Sequence, residues 1–243
     1  MNGLERDGLP RADVPSAFDT EARWYDRLVG ANPGYHEHLR LSARRLGLPA
    51  DTRGLRLLDA GCGTGASTAA LLSVAPGARI TAFDASGEML ARARAKTWPA
   101  TVGFVHTPVE ELSDVEGPFD AVFASYLLRN LADPTGQLRR LRRLLRPGGR
   151  IAVHEYSVQD SRRARWTWNA VCAGVIIPLG RLTTGDATLY RHLRRSVLGF
   201  DGLGALTQRL HDAGFTDVRT GTVAGWQRDI VHTVLGTNPP ETS

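Results

Sequence analysis

The sequence predicts an α/β fold: a doubly wound, mostly parallel seven-stranded sheet, with helices ahead of it and a helical insertion after the fifth strand. Three observations predict it. The apolar run Leu55–Leu58 ends in Asp59, passes through glycines at 61, 63 and 65, and enters a helix-forming run from Ala66, which reads as strand, tight turn, helix. Short apolar runs then alternate with runs of helical period as far as Tyr156, the pattern of parallel strands joined by crossover helices. Between residues 160 and 200 the alternation breaks, and it resumes in a closing pair of strands.

Taken in order, residues 1–15 read as a flexible tail and 16–243 as a single domain. Ser16 and Asp19 offer capping side chains to an amphipathic helix carrying Phe18, Ala22, Tyr25, Leu28 and Val29. A second helix, Tyr35–Leu46, stops at Gly47 before Pro49. After the glycine loop come helix Ala66–Val74, strand Arg79–Phe83, helix Gly87–Lys96, strands Val102–His106 and Phe119–Ser125, helix Thr135–Leu145 and strand Arg150–Tyr156. The turn Pro147-Gly148-Gly149 is expected to separate the last two sharply. Right-handed crossovers place the carboxyl ends of these strands on one rim, where a ligand belongs. Residues 160–200 hold Trp166, Trp168 and an apolar stretch, Ala170–Leu179, broken by Pro178. Too short to span a bilayer, that stretch suits a substrate-side lid over the rim or plain core. Helix Leu203–Ala213 stops at Gly214, and Thr216–Val223 with Gln227–Leu235 form the closing strand pair.

The glycine loop is a cofactor site, because glycines let backbone approach a ligand and aim the N–H groups of the helix start at it. Two cofactors compete for it. Gly61, Gly63 and Ala66 satisfy a loose dinucleotide fingerprint, which would make the chain a nicotinamide oxidoreductase. Against that stand Gly65 and Asp59, a carboxylate that repels a pyrophosphate but suits the ammonium of a methionine moiety. Asp84, at the end of the next strand, can accept hydrogen bonds from two ribose hydroxyls.

Bulk properties narrow the classes. The 243 residues have ordinary hydrophobic (42%) and charged (23%) fractions, so a soluble globular chain is expected. No run of about 18 uninterrupted apolar residues predicts a membrane span, and Met1–Pro15 lacks the apolar core of a signal peptide. Two cysteines give neither a disulfide framework nor a metal cluster, and a reducing cytoplasm is the expected compartment. The net charge of +5 rests on arginine, with Lys96 the sole lysine among 30 basic residues. Arg139, Arg140, Arg142, Arg143 and Arg146 lie along a helix whose leucines recur at helical spacing, as on a solvated basic face; no nucleic-acid motif accompanies them.

Asp59, Gly61, Gly63, Gly65 and Asp84 resemble the S-adenosylmethionine site of class I methyltransferases. Further stretches narrow the likeness: Phe18-Asp19 with Tyr25-Asp26, Ser125-Tyr126-Leu127-Leu128-Arg129-Asn130-Leu131, Arg146-Pro147-Gly148-Gly149-Arg150 leading to Glu155-Tyr156-Ser157, Tyr190-Arg191-His192-Leu193, and Ala213-Gly214-Phe215. In this order they are similar to the quinone-biosynthesis C-methyltransferases, which methylate ubiquinone and menaquinone precursors. The likeness spans about residues 16 to 235.

The resemblance implies roles residue by residue. Asp59, Gly61, Gly63 and Gly65 would hold the methionine end of S-adenosylmethionine and Asp84 its ribose, with Met89 near the adenine and Ser125 at the end of the fourth strand. Arg129 and Asn130 match the turn that positions a substrate oxygen or water, with a loop tied by Arg–carboxylate hydrogen bonding as the alternative, and Tyr25 matches the aromatic that closes the site. His154, set with Tyr156 on one face of its strand and Glu155 on the other, is either a candidate base or a satisfied structural histidine. The implied substrate is small, aromatic and apolar, a prenylated quinol such as demethylmenaquinol, with a peripheral membrane contact as the accompanying partner surface. Three residues depart from the family: Pro108 where an Asp or Asn faces the adenine, Arg27-Leu28-Val29 after Tyr25-Asp26, and His154 where an aliphatic residue stands. A C-, O- or N-methyltransferase of a specialised metabolite therefore stays open, as does a catalytically idle cofactor-binding subunit.

Overall fold

A computed structural model describes residues 34–112, 115–184 and 187–240. The expected tail and the helix bearing Tyr25 lie outside the described residues. The chain opens with α1 (Tyr35–Arg44) and continues β1 (Arg56–Ala60), α2 (Ala66–Val74), β2 (Arg79–Asp84), α3 (Gly87–Arg94), β3 (Val102–His106) and β4 (Phe119–Ser125). A 3-10 turn over Leu128–Asn130 leads to α4 (Pro134–Arg143) and β5 (Leu145–Tyr156). The insertion is α5 (Arg162–Val171), a π-helical turn (Cys172–Ile176), α6 (Ile177–Thr184) and α7 (Thr188–Gly199). Then follow α8 (Leu203–Asp212), β6 (Thr216–Thr222) and β7 (Val231–Thr237).

The seven strands lie in the order β3-β2-β1-β4-β5-β7-β6. β1 to β5 are mutually parallel, and β7 enters antiparallel between β5 and β6. Chain order reverses between β1 and β4, so the crevice at their carboxyl ends is the switch point where open α/β sheets take ligands. Strand alternation divides the core in two. Leu57, Ile80, Phe123, Ala152 and Tyr156 face α1, α2 and the insertion, whereas Leu58, Phe83, Val122, Ile151 and Val153 face Leu138 and Leu141 of α4 and Leu206 and Leu210 of α8. Both cysteines are free and buried.

β5 differs from the expected strand. It begins at Leu145, and Pro147-Gly148-Gly149 forms a bulge inside it: Phe119 pairs with Leu145, but Ala121 already pairs with Arg150. Asn238 pins the bulge, its N donating to Gly149 O at 2.8 Å, its O accepting from Gly148 N at 2.8 Å and its Nδ2 donating to Leu145 O at 3.0 Å. Of the arginines expected along α4, Arg139 donates to Asp212 O and Arg142 to Asn238 Oδ1, whereas Arg146 falls in β5 instead, where it pairs with Asp120 at 2.8 Å.

The insertion runs as one helix straight through Pro178. Proline has no N–H for the turn before it and its ring crowds the carbonyl four residues back; the wider π-helical turn that precedes it accommodates both. Its inner face is core: Ala164, Trp168 and Cys172 are buried, and the Trp168 ring lies 4.9 Å from that of Tyr156. Gly180 lets the helix approach α7, for a Cβ there would stand 2.4 Å from the Tyr190 ring. Trp168→Ala should therefore cost about 3–5 kcal/mol of global stability by urea unfolding. A loss below about 1 kcal/mol would mean that the segment unfolds separately, as a detachable lid.

Candidate active site

The loop after β1 is bent by glycines with positive φ, 71° at Gly61, 55° at Gly63 and 90° at Gly65. At Gly63 an added Cβ would meet no protein atom within 4 Å, so the loop faces open space there. Lys96 donates from Nζ to Thr64 O at 2.7 Å and the Trp98 ring backs Gly65, two supports that nothing in the motif announces.

The N–H groups of the loop itself are engaged within the protein. Gly61 N and Cys62 N both donate to Phe83 O at 2.9 Å, Gly65 N donates to Cys62 O, and Gly63 N donates to Asp84 Oδ2 at 2.7 Å. A pyrophosphate would find donors already engaged and two carboxylates near the strand ends. Asp59 is fully buried, with Oδ2 accepting from Ser67 Oγ at 2.8 Å and Thr68 Oγ1 at 2.6 Å, while Oδ1 has no partner. Burial pushes its carboxyl up to about 7, against the pull of those two hydroxyls. Burial also raises Asp84, whose Oδ1 accepts from Ser86 N at 2.9 Å. Met89 is buried in the first turn of α3, its N donating to the capping Ser86 Oγ at 3.1 Å. Ser125 is buried at the end of β4, paired in register with His154. Beside Pro108, Thr107 is buried and its hydroxyl donates to Glu111 O, so that side chain is committed to its own loop.

Next along the rim stands a turn held by charge. Tyr126 has φ 55°, a left-handed conformation rare for an aromatic residue. Its carbonyl accepts from Arg129 Nη1 at 3.0 Å and from Asn130 Nδ2 at 3.1 Å. Arg129 Nη1 also pairs with Glu155 Oε1 at 2.7 Å, and both side chains are buried. Burial raises the Glu155 carboxyl and the Arg129 charge pulls it down. Arg129 and Asn130 thus clamp the turn that the motif predicts to handle substrate oxygen. His192 of α7 feels the Arg129 charge, so the Leu128-Arg129-Asn130 turn and the Tyr190-Arg191-His192-Leu193 segment meet here.

Above the turn rises an aromatic wall. The Tyr126 ring stacks on Tyr156 at 4.7 Å and on Tyr35 at 5.8 Å, and Tyr156 leans on Trp168. His154 Nε2 lies 3.1 Å from the Tyr126 hydroxyl, while its Nδ1 is buried without a partner. Burial, and then the charges of His38, Arg45 and His232, push His154 down to about 3. It is sealed from solvent and neutral, the placement of a structural imidazole. Tyr126 itself was not a candidate from sequence; the signal was the Ser-Tyr step into a Leu-Arg-Asn turn, where the chain must reverse within a residue of the strand end.

A model of the ubiE/COQ5 methyltransferase family matches residues 11–229. The chain belongs to that family. It is therefore an S-adenosylmethionine-dependent methyltransferase, and the donor pattern of the loop agrees. It is 33% identical over 207 residues to the demethylmenaquinone methyltransferase of Clavibacter sepedonicus, covering 84% of this chain and 83% of that protein. To the ubiquinone/menaquinone biosynthesis C-methyltransferase UbiE of Bradyrhizobium diazoefficiens it is 34% identical over 182 residues, 73% of this chain and 72% of that one. Among solved structures, the magnesium protoporphyrin IX methyltransferase of Synechocystis superposes with a TM-score of 0.64 over 94% of this chain and 99% of that one, at 17% identity, a likeness of fold.

Two outcomes follow for this family member. Arg129→Ala strands Glu155 as a buried unpaired carboxylate, so it should destabilise the fold by about 3–5 kcal/mol, and Arg129→Leu with Glu155→Leu should recover part of that in urea unfolding. A stable Arg129→Ala protein would mean that the ion pair does not hold the turn. For His154, the unfolded imidazole titrates near 6.5 and the folded one near 3, so the unfolded chain binds the extra proton as pH falls. The stability that His154 supplies is complete above about pH 7 and drains away towards pH 3, a loss of about 3 kcal/mol between pH 7 and pH 4 relative to His154→Asn. Parallel stability curves for the two proteins would place the group in water.

Proposed function

We propose that the chain transfers a methyl group from S-adenosylmethionine to a ring carbon of a prenylated quinol of the demethylmenaquinol type. The observation that carries this is the stack of Tyr35, Tyr126, Tyr156 and Trp168, buried against one another behind the glycine-loop rim, which gives the site a rigid aromatic and apolar backing. Its curated relatives carry quinone-biosynthesis names.

Bound S-adenosylmethionine supplies an electrophilic methyl group on a sulfonium. We assign its methionine end to Gly61, Gly63, Gly65 and Asp59, whose Oδ1 lacks a protein donor and suits an ammonium, and its ribose to Asp84, which the loop N–H of Gly63 aims. Met89 and Ser125 flank these groups. Tyr25, outside the described residues, belongs to the same reading as the aromatic that closes the site. In-line transfer needs donor and acceptor about 3–3.5 Å apart with water excluded, which is the work of the aromatic wall and the buried insertion face. A phenol of pKa near 10 gains ring-carbon nucleophilicity as its proton leaves. With His154 buried and held neutral, the reading gives the Arg129 cation the task of stabilising the developing phenolate, with Asn130 fixing its position. The enzyme acts in the cytoplasm, peripheral to the membrane that holds such an acceptor.

One observation favours a second acceptor class: the Tyr126–His154 hydrogen bond puts a polar pair where the resembling enzymes carry an aliphatic side chain. A phenolic or amine specialised metabolite would use it. Purified protein with methyl-labelled S-adenosylmethionine, offered demethylmenaquinol analogues of several tail lengths and, separately, unprenylated phenols, separates the two. Label on the quinol ring carbon is expected. Label on oxygen, or only on the unprenylated phenols, would overturn the proposal, and no label on any acceptor despite tight cofactor binding would point to an idle subunit.

A further inference from the structure

The chain's positive charge is not spread over it. Residues 161–200 hold seven arginines against the single acid Asp186, a net of +6, so with a total of +5 the other 203 residues carry −1. The whole excess lies in the insertion, and so do four of the five large apolar side chains that face water among the described residues, Trp226 being the fifth. Trp166 is 72% exposed, Val175 57%, Leu179 47% and Leu182 85%. Between Trp166 and Leu182 the exposed positions are otherwise Ala170, Ala173, Gly174, Pro178 and Arg181. They line the outer side of one helix, opposite Ala164, Trp168 and Cys172 on its buried side, in a strip about 24 Å long. Exposed Arg162, Arg163 and Arg165 stand at its head and Arg181 near its tail.

We propose that this outer face docks in the plane of an anionic lipid bilayer, with the apolar strip entering the acyl boundary and the arginines reaching the headgroups. An apolar strip rimmed by cations, on a helix too short and too charged to cross, is the pattern of an interfacial element. Charge complementarity selects the anionic surface: each arginine near it raises the affinity about fivefold, and the other 203 residues carry almost no net charge. The helix leaves β5 at the carboxyl rim, where its inner face meets Tyr156, so a docked strip sets the rim against the bilayer. The other basic face does not compete. Arg140 and Arg143 of α4 lie beyond the amino ends of β4 and β5, beside Glu111, and no apolar strip accompanies them.

The test needs no acceptor, so it is independent of the quinol proposal. Full-length protein is co-sedimented with vesicles of phosphatidylcholine plus 30% phosphatidylglycerol and with phosphatidylcholine alone. Expected are binding to the anionic vesicles that weakens with salt, and little to the neutral ones. Arg162→Gln, Arg163→Gln and Arg165→Gln together should lower the affinity by on the order of 10². Trp166→Ser and Leu182→Ser should each lower it about tenfold with the melting temperature unchanged, because each removes apolar surface that only the bilayer buries. Arg140→Gln with Arg143→Gln should leave it unaltered. Absence of binding to anionic vesicles at low salt, equal binding to neutral ones, or loss through the Arg140/Arg143 pair would overturn the proposal. So would self-association in sedimentation velocity that Leu182→Ser abolishes in a protein that ignores vesicles, since the strip would then join two copies.

Discussion

The carbonyl oxygen of Tyr126 is the point on which the rim depends. Chain direction reverses there one residue after β4 ends, in a backbone conformation that an aromatic residue occupies only when its surroundings impose it. Arg129 and Asn130 impose it by donating to that one oxygen, and Glu155 on the neighbouring strand holds Arg129 in place from the other side. The cost of burying the charges is met by close geometry and by further bonds to the carboxylate, from Tyr156 N at 3.0 Å and more weakly from Arg129 N at 3.5 Å. What the turn delivers is the Tyr126 ring, set between Tyr35 of α1 and Tyr156 of β5, and through Tyr156 the Trp168 anchor of the insertion. Four elements distant in sequence are thereby registered to one strand end.

Electrostatics then separates the two sides of the rim. On the glycine-loop side the carboxylates of Asp59 and Asp84 are held in burial that disfavours their charge, and the loop's own N–H groups and the α2 hydroxyls answer it only in part. A cationic ligand completes such a site, and an anionic one is repelled by it. On the Arg129 side the cation is matched by Glu155 but lies 5.5 and 5.7 Å from the faces of Tyr126 and Tyr156, so its field reaches into the apolar wall. One rim therefore sets two buried carboxyl groups on the glycine-loop side against a guanidinium, matched by Glu155, on the other.

The strand-turn-helix unit, the alternation to Tyr156 and the closing antiparallel pair were legible in the sequence because hydrophobic period and glycine punctuation are local signals, and α2 and β3 fall where that period places them. The bulge in β5 was not, since Pro147-Gly148-Gly149 reads locally as a stop and only Asn238, some ninety residues on, pulls it back into the ladder. For the same reason the site divided unevenly. The types and spacing of Asp59, the glycines and Asp84 belong to one contiguous motif and one adjacent strand. The behaviour of Arg129, Asn130 and His154 depends on what lies across the sheet, on Glu155 and on the burial of His154 beside His38, Arg45 and His232, none of which the turn itself encodes.

Residues 160–200 show why a single periodicity cannot settle a two-sided helix. An apolar stretch with a proline reads equally as lid or as core, and the inner face is core in the plain sense, with Trp168 and Cys172 buried. Burying that face accounts for Trp168 but not for Trp166 two positions earlier, which the same helix turns outward, nor for Leu182 at the far end. A helix under pressure only to fold would place polar residues there, because each exposed large apolar side chain adds aggregation risk without adding stability. That the outer positions are apolar, and that residues 161–200 carry seven arginines and one acid, are two independent departures from a solvated surface. They coincide on the segment that also walls the rim.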